Sequence, residues 1–228
     1  MTDQNQGMSG KIRAAFFIDG FNLYHAIDEL GQAHLKWVSY WKIGNLLIPK
    51  GTEELVAVTW CTARHPSNSS KADRHDALVR AQKLEGVTVH KGHFVDERRD
   101  CRACSSSWMH PSEKEGDINV AIHLLRDAFH DLYDHAYLVT ADSDQVATIR
   151  MFLKEFPGKS LTVVVPPGRK RSEHLHSLAK KTIQMNDGHL DKSVMRQIVG
   201  GAGSGYARRP TNYDPPPGWV HPDDRPKK

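Results

Sequence analysis

Short apolar runs alternate with stretches of helical period along most of this chain. Ile12 to Ile18, Glu54 to Cys61, Val87 to His90, Ala136 to Val139 and Ser160 to Val165 are mostly apolar and bounded by polar breaks, the pattern of strands covered on both faces. Between them, Asn22 to Leu30, Trp41 to Leu47, Ser70 to Leu84, Ile118 to Phe129, Val146 to Phe156 and Ser172 to Lys180 read as helices. Ala72, Leu78, Ala81 and Leu84 fall at helical spacing in one, and Val120, Ala121, Leu124, Leu125 and Ala128 line one side of another. Pro49-Lys50-Gly51 and Pro157-Gly158 stop two of them, and Ser172 is placed to cap a third. Strands alternating with helices predict an α/β fold with a parallel sheet and helices on both faces.

The pattern changes near Val199. Gly200-Gly201-Ala202-Gly203-Ser204-Gly205 reads as a flexible linker, and the Pro215-Pro216-Pro217-Gly218-Trp219 stretch and basic end that follow lack the apolar content of a core. The division expected is a disordered N-terminus over 1–10, one folded domain over 11–198, and a disordered Gly/Pro-rich tail over 199–228. A chain of 228 residues that is 39% hydrophobic suits one such domain. No stretch approaches the roughly 18 apolar residues that span a bilayer, and Met1 to Gly10 holds no hydrophobic segment. With three cysteines, an odd count, the reading is a cytoplasmic protein with reduced thiols and no membrane.

Three acidic motifs bear on the chemistry. Asp19-Gly20-Phe21-Asn22 follows the first strand, Glu113-Lys114-Glu115-Gly116-Asp117-Ile118-Asn119 opens a helix, and Thr140-Ala141-Asp142-Ser143-Asp144 follows the fourth strand. In parallel α/β sheets, sites form beyond the carboxyl ends of strands, so residues distant in sequence can meet there. Asp19, Asp117, Asp142 and Asp144 then supply the three or four carboxylates that hold Mg²⁺ or Mn²⁺. Such ions make water nucleophilic and neutralise charge building on a phosphate. Ser143 is placed to orient a ligand or a water, and Asn22 to contact substrate phosphate or a water. The net charge of +4 fits a phosphate-rich partner. The competing structural readings are a helix cap at Asp117 and tight turns at Asp19 and Asp142.

The stretches Phe17-Ile18-Asp19-Gly20-Phe21-Asn22-Leu23-Tyr24, Glu113 to Ala121 and Leu138 to Asp144, in this order and spacing, resemble the NYN domain family of the PIN-like nuclease superfamily, over roughly residues 12–198. The resemblance implies a three-layer Rossmann-like fold. It also implies metal-dependent cleavage of RNA, with Asp19, Asp117, Asp142 and Asp144 as the acidic cluster. Two positions depart from the family's pattern: His123 stands where many relatives carry an aspartate, and Gln145 follows the third motif.

His93, Cys101, Cys104 and His110 form a half-signal for structural zinc, since Cys-x2-Cys is one side of a tetrahedral site. A zinc-stapled loop over 91–112 and a polar loop with two reduced thiols are both open. Arg64 and Arg74 lead the candidate RNA contacts, with Lys71, Arg80, Arg98, Arg99, Arg102, Arg169, Lys170 and Arg171 behind them, and Tyr24, Trp41 and Trp108 as stacking candidates.

The expected function is an endoribonuclease on single-stranded or flexible RNA, leaving 5′-phosphate and 3′-hydroxyl ends, possible also as a homodimer. The alternative is a catalytically silent RNA-binding module. A phosphatase of another α/β family is disfavoured, because Asp19-Gly20-Phe21 lacks a second aspartate two residues on.

Overall fold

The computed structural model describes residues 10–64, 69–179, 181–201, 203 and 205–226. Successive residues of the first strand, β1 (Ile12–Asp19), enter different cores. Ala14, Phe16 and Ile18 pack with Leu23, Ile43 and Leu78, whereas Ala15 and Phe17 pack with Val120, Leu124 and Phe152. This period-two alternation on a strand apolar at every inner position makes the middle of three layers.

The remaining strands are β2 (Glu53–Ala63), β3 (Thr88–Asp100), β4 (Ser107–Lys114), β5 (His135–Val139), β6 (Ser160–Val165) and β7 (Thr182–Gln184). Seven strands form one sheet in the order β4-β3-β2-β1-β5-β6-β7. Neighbours run parallel except β3 and β4. Helices α1 (Gly20–Glu29), α2 (Tyr40–Leu47) and α3 (Ser69–Leu84) cover one face. Helices α4 (Gly116–Phe129), α5 (Val146–Glu155) and α6 (Glu173–Ala179) cover the other. The fold is therefore the three-layer Rossmann-like α/β arrangement expected, and the five strands read from the sequence are all present.

Two regions differ from the sequence reading. The segment over 91–112, read as a loop, is mostly strand. β3 leaves β2 after Gly92 and continues as an antiparallel ribbon with β4, from His93 opposite Lys114 to Asp100 opposite Ser107. Its alternation is masked because the ribbon stands out from the sheet and has no apolar face to bury. The second difference is the tail. Residues 1–9 lie outside the described residues, but 199–228 are largely described and packed. β8 (Ile198–Gly201) and β9 (Gly205–Arg208) form a hairpin, and Val199, Ala207 and Tyr213 enter the core beneath α3. The Trp219 indole N–H donates to Asp191 at 2.8 Å, Arg225 pairs with the same carboxylate, and His221 Nε2 lies 3.0 Å from the Val194 carbonyl. The composition misleads because isolated aromatics among Pro and Gly add to an existing core rather than build one.

Gly20 fixes how closely α1 meets the sheet. A Cβ there would lie 2.3 Å from the Cys61 carbonyl oxygen and 2.4 Å from Trp60 Nε1. Both sit on β2 in the sheet interior, so neither gives way cheaply. Gly20→Ala is expected to destabilise the protein by about 1–3 kcal/mol, the cost of overpacking, read as a fall of several degrees in melting temperature. A chain ending at residue 201 should lose about 3–5 kcal/mol, the scale for emptying a buried aromatic position such as Tyr213. Thermal denaturation followed by circular dichroism measures both, and unchanged melting of the shortened chain would refute the packed-tail account.

Candidate functional site

The chain crosses from one side of β1 to the other between β4 and β5, through α4, which makes the carboxyl ends of β1 and β5 a topological switch point. Asp19 ends β1, Asp142 lies three residues beyond β5, and Asp117 sits in the first turn of α4. Carboxylate oxygens of Asp117, Asp142 and Asp144 come within 4.8 Å of one another. Asp117 is not the helix cap: Glu115 holds that position, in a left-handed conformation at φ 74°. An acid in a helix's first turn is favoured by the helix dipole, and here its neighbours are acids.

The turn after β5 places the pair. Asp142 Oδ1 accepts from the Asp144 N–H at 2.9 Å, and this bend leaves both carboxylates on the crevice side. The Asp142 N–H in turn donates to Thr140 Oγ1 at 3.0 Å, and the Thr140 hydroxyl donates to Asp19 Oδ2 at 3.0 Å. Asp19 Oδ1 accepts from the Asn22 N–H at 3.0 Å, which caps α1. Asp19 is 5% exposed and stands beside the triad rather than within its shared reach. Burial pushes its carboxyl up from 3.8 to about 6, with Asp117 and Asp142 adding like charge. Asp117 is also raised, first by burial and then by the charges of Asp142 and Asp144.

The donor set fits a hard divalent cation. It is all oxygen and all carboxylate, and the charges of Asp142 and Asp144 add to the raised proton affinity of Asp117, as uncompensated anions do. Asp117, Asp142 and Asp144 would hold the ion, with Asp19 beside them.

Asp19, Asp117 and Asp142 line a cleft of about 440 Å³ together with Phe21, Asn22, His25, Glu29, Cys61, Glu113, Gly116 and Arg169. Arg169 donates to Glu29 at 2.7 Å, so the cation at this rim is already paired. Burial, then the Asp19 charge, pushes the Cys61 thiol up to about 12 and leaves it inert as a nucleophile. Glu113 accepts from the Gly116 N–H, and burial raises its carboxyl.

A second chamber of about 410 Å³ adjoins the cleft and shares Phe21, His25 and Glu113 with it. Its walls are rich in rings: Phe21, Tyr24, Tyr40, Trp60, Phe94 and Tyr213. Lys71 and Arg74 of α3 lie along its lining. His75 is fixed by a 2.9 Å contact of its Nε2 with Thr62 Oγ1, and burial lowers it to about 4, so it is neutral at physiological pH. No local pattern marks this chamber, because its rings come from five separate segments and only Phe21 and Tyr24 share one, α1.

The expected site residues divide. Asp19, Asp117, Asp142 and Asp144 converge. Asn22 is committed to the scaffold, since its Oδ1 accepts from the Ala141 N–H at 2.9 Å, and Ser143 is exposed. Arg74 lines the aromatic chamber, but Arg64 is exposed and donates to Asp76 at 2.8 Å. Tyr24 lines the chamber too, whereas Trp41 packs against the core and Trp108 is exposed on β4. His123 stacks on His90 with ring centroids 3.4 Å apart, away from the acidic triad.

The zinc expectation is corrected. Cys101 and Cys104 occupy the ribbon's tip, where the Cys101 N–H donates to the Ser106 carbonyl at 2.8 Å. His93 is at the ribbon's base and His110 opposite Glu97. At ~3.3 Å per residue these lie roughly 26 Å and 13 Å along the strands from Cys101, too far for one tetrahedral ion. His93 instead faces Glu115 at 3.3 Å.

No family model matches the chain. It is similar to 6-hydroxy-3-succinoylpyridine 3-monooxygenase HspA of Pseudomonas putida, at 25% identity over 243 aligned positions that cover 89% of this chain and 74% of that protein. Its fold is similar to the crystal structure of a protein of unknown function from Vibrio parahaemolyticus, with a TM-score of 0.51 and 19% identity over 78% of this chain and 94% of that one. The structural likeness shows the shared α/β architecture.

Proposed function

We propose that this chain is a metal-dependent endoribonuclease of the NYN kind, acting on single-stranded or flexible RNA. The observation that carries the reading is the meeting of Asp117, Asp142 and Asp144 within 4.8 Å at the sheet's switch point, beside the buried Asp19. A bound Mg²⁺ or Mn²⁺ would supply the lowered water pKa and the charge neutralisation that phosphodiester hydrolysis needs. The protein's own part is placement. The bend held by Asp142 and Asp144 presents two carboxylates, α4 presents the third, and Thr140 with Asn22 fixes the two strand exits relative to each other. The basic side chains of α3 in the adjoining chamber offer counter-charge for backbone phosphates.

A second reading rests on the ring-lined chamber and on the name of the Pseudomonas putida relative. In that reading the ligand is a small aromatic heterocycle rather than a nucleic acid. A silent RNA-binding module is the third, and RNA retained in EDTA without turnover in Mn²⁺ would favour it.

Asp142→Asn and Asp144→Asn are each expected to cut RNA cleavage in Mg²⁺ or Mn²⁺ by about 100-fold or more, the scale for removing a group that sets the charge at the reacting centre. Undiminished cleavage by clean preparations of both variants sinks the ribonuclease reading.

Asp19→Asn should separate function from stability. The native carboxyl holds its proton up to about pH 6, whereas an exposed one releases it near 3.8. Between those values the folded state binds the extra proton, so stability falls as pH rises through the window and stays low above it. In EDTA at pH 7.5 the variant should therefore be more stable than the parent by roughly 1–3 kcal/mol, at about 1.36 kcal/mol per pKa unit. The gain should fade below about pH 4, where the acid is neutral folded or unfolded. Denaturant titration at the two pH values is the check; a variant less stable than its parent at pH 7.5 contradicts a buried, raised Asp19.

A further inference from the structure

We propose that the aromatic chamber seats one unpaired nucleobase of the strand whose phosphodiester lies in the acidic cleft. The inference rests on the ribonuclease reading and gives it a substrate class: RNA with a base free to leave its stack.

The chamber and the cleft are neighbours along one edge. Asp142 and Thr140 mark the exit of β5, Asp19 the end of β1, and Trp60, Thr62 and Ala63 the end of β2. A strand laid along the carboxyl edge of the sheet passes the carboxylates and then the rings. The two hollows share Phe21, His25 and Glu113 as a common wall, so one extended ligand can fill both.

The chamber's chemistry suits a flat heterocycle. Tyr40, Trp60 and Tyr213 are buried and make its floor, while Phe21, Tyr24 and Phe94 are only half-buried and offer ring surface to the hollow. Phe21 and Phe94 stand 5.9 Å apart, centroid to centroid, at 66°. They come from α1 and the ribbon and pack edge to face along the chamber's lining. Base stacking on such faces tolerates any sequence, because every base has a π-face. Lys71 and Arg74 line the same hollow, Arg74 in hydrogen-bond contact with Tyr213, and give it positive charge, which a neutral apolar ligand would not use and a nucleotide phosphate would. A paired base in a continuous duplex does not reach such a hollow, because its edge and faces are taken.

The test is calorimetric titration of the full chain in EDTA with uridine and guanosine 5′-monophosphates, with ribose 5-phosphate and pyridine-3-carboxylate as comparators. The nucleotides should bind and ribose 5-phosphate should not. Phe94→Leu keeps the bulk and removes the ring; it should weaken nucleotide binding about 5- to 100-fold, the worth of one stacked base, and Phe94→Tyr should restore it. Thermal melts of both variants exclude unfolding. In Mn²⁺, an oligoribonucleotide with one abasic residue should be cut less at the bond beside the missing base than its intact counterpart. Equal binding of ribose 5-phosphate, pyridine-3-carboxylate binding as tightly as the nucleotides, or an unaffected Phe94→Leu overturns the proposal. The two readings fail separately. Cleavage lost in Asp142→Asn with no nucleotide seat leaves the ribonuclease standing alone. A nucleotide seat that survives Asp142→Asn in a parent that cuts no RNA removes the ribonuclease and leaves the seat.

Discussion

One buried carboxylate holds the site's motifs in register. Asp19 uses both oxygens for this: one accepts from the Asn22 N–H that begins α1, the other from the Thr140 hydroxyl at the exit of β5. Thr140 passes the connection on to the Asp142 N–H, and Asn22 closes the loop through the Ala141 N–H. Two chain segments more than a hundred residues apart are thus tied by a ring of four hydrogen bonds, two of which cross between them. The cost is electrostatic. A carboxylate at 5% exposure with like charges nearby is raised to about 6, so at neutral pH the hub holds a charge that its burial disfavours. A group kept charged against its environment is a functional candidate on physical grounds.

The same opposition runs through the triad. Asp117 is pushed up by burial and by its two acidic neighbours, and the nearby Arg169 is engaged by Glu29. The chain is positive by four charges, yet its switch point is acidic. Positive charge sits one chamber away, on α3. That separation suits an anionic ligand approaching a cation held by the acids, since the basic side chains attract without quenching the carboxylates.

The layers and the acidic convergence were legible because each leaves a local mark. A strand buried on both faces must be apolar throughout, and an acid directly after such a strand is conspicuous; Ile18-Asp19 and the exit from Val139 to Asp142 show both marks. The ribbon and the tail left none. The ribbon's registry is carried by backbone pairing from His93 opposite Lys114 outward, and its side chains are mostly exposed, so no apolar period reports it. Reading it as a loop also made a zinc set of residues that strand geometry holds apart. The roles of Asn22 and Arg64 went unseen for a related reason: a polar residue beside a site can serve the ligand or the scaffold, and only the positions of the Ala141 N–H and of Asp76 decide which.

The tail changes how the chamber must be understood. Tyr213 is 7% exposed, lines the aromatic hollow, and lies within reach of Arg74 and of Lys36, whose ammonium is 5.9 Å from the ring centroid. Farther on, Trp219 meets His34 edge-on at 5.4 Å and bonds Asp191, which Arg225 also grips. The segment that composition sets apart from the domain therefore supplies a wall of its second cavity, and it is anchored on both sides of that wall. Its Gly and Pro content serves this course. Gly200, at φ 87°, turns the chain so closely that a Cβ there would lie 2.4 Å from the Gly205 carbonyl oxygen, and prolines fix the extended path that carries the aromatics to their places. Low apolar content in a segment shows that it does not fold alone; it does not show that the segment is absent from another element's core.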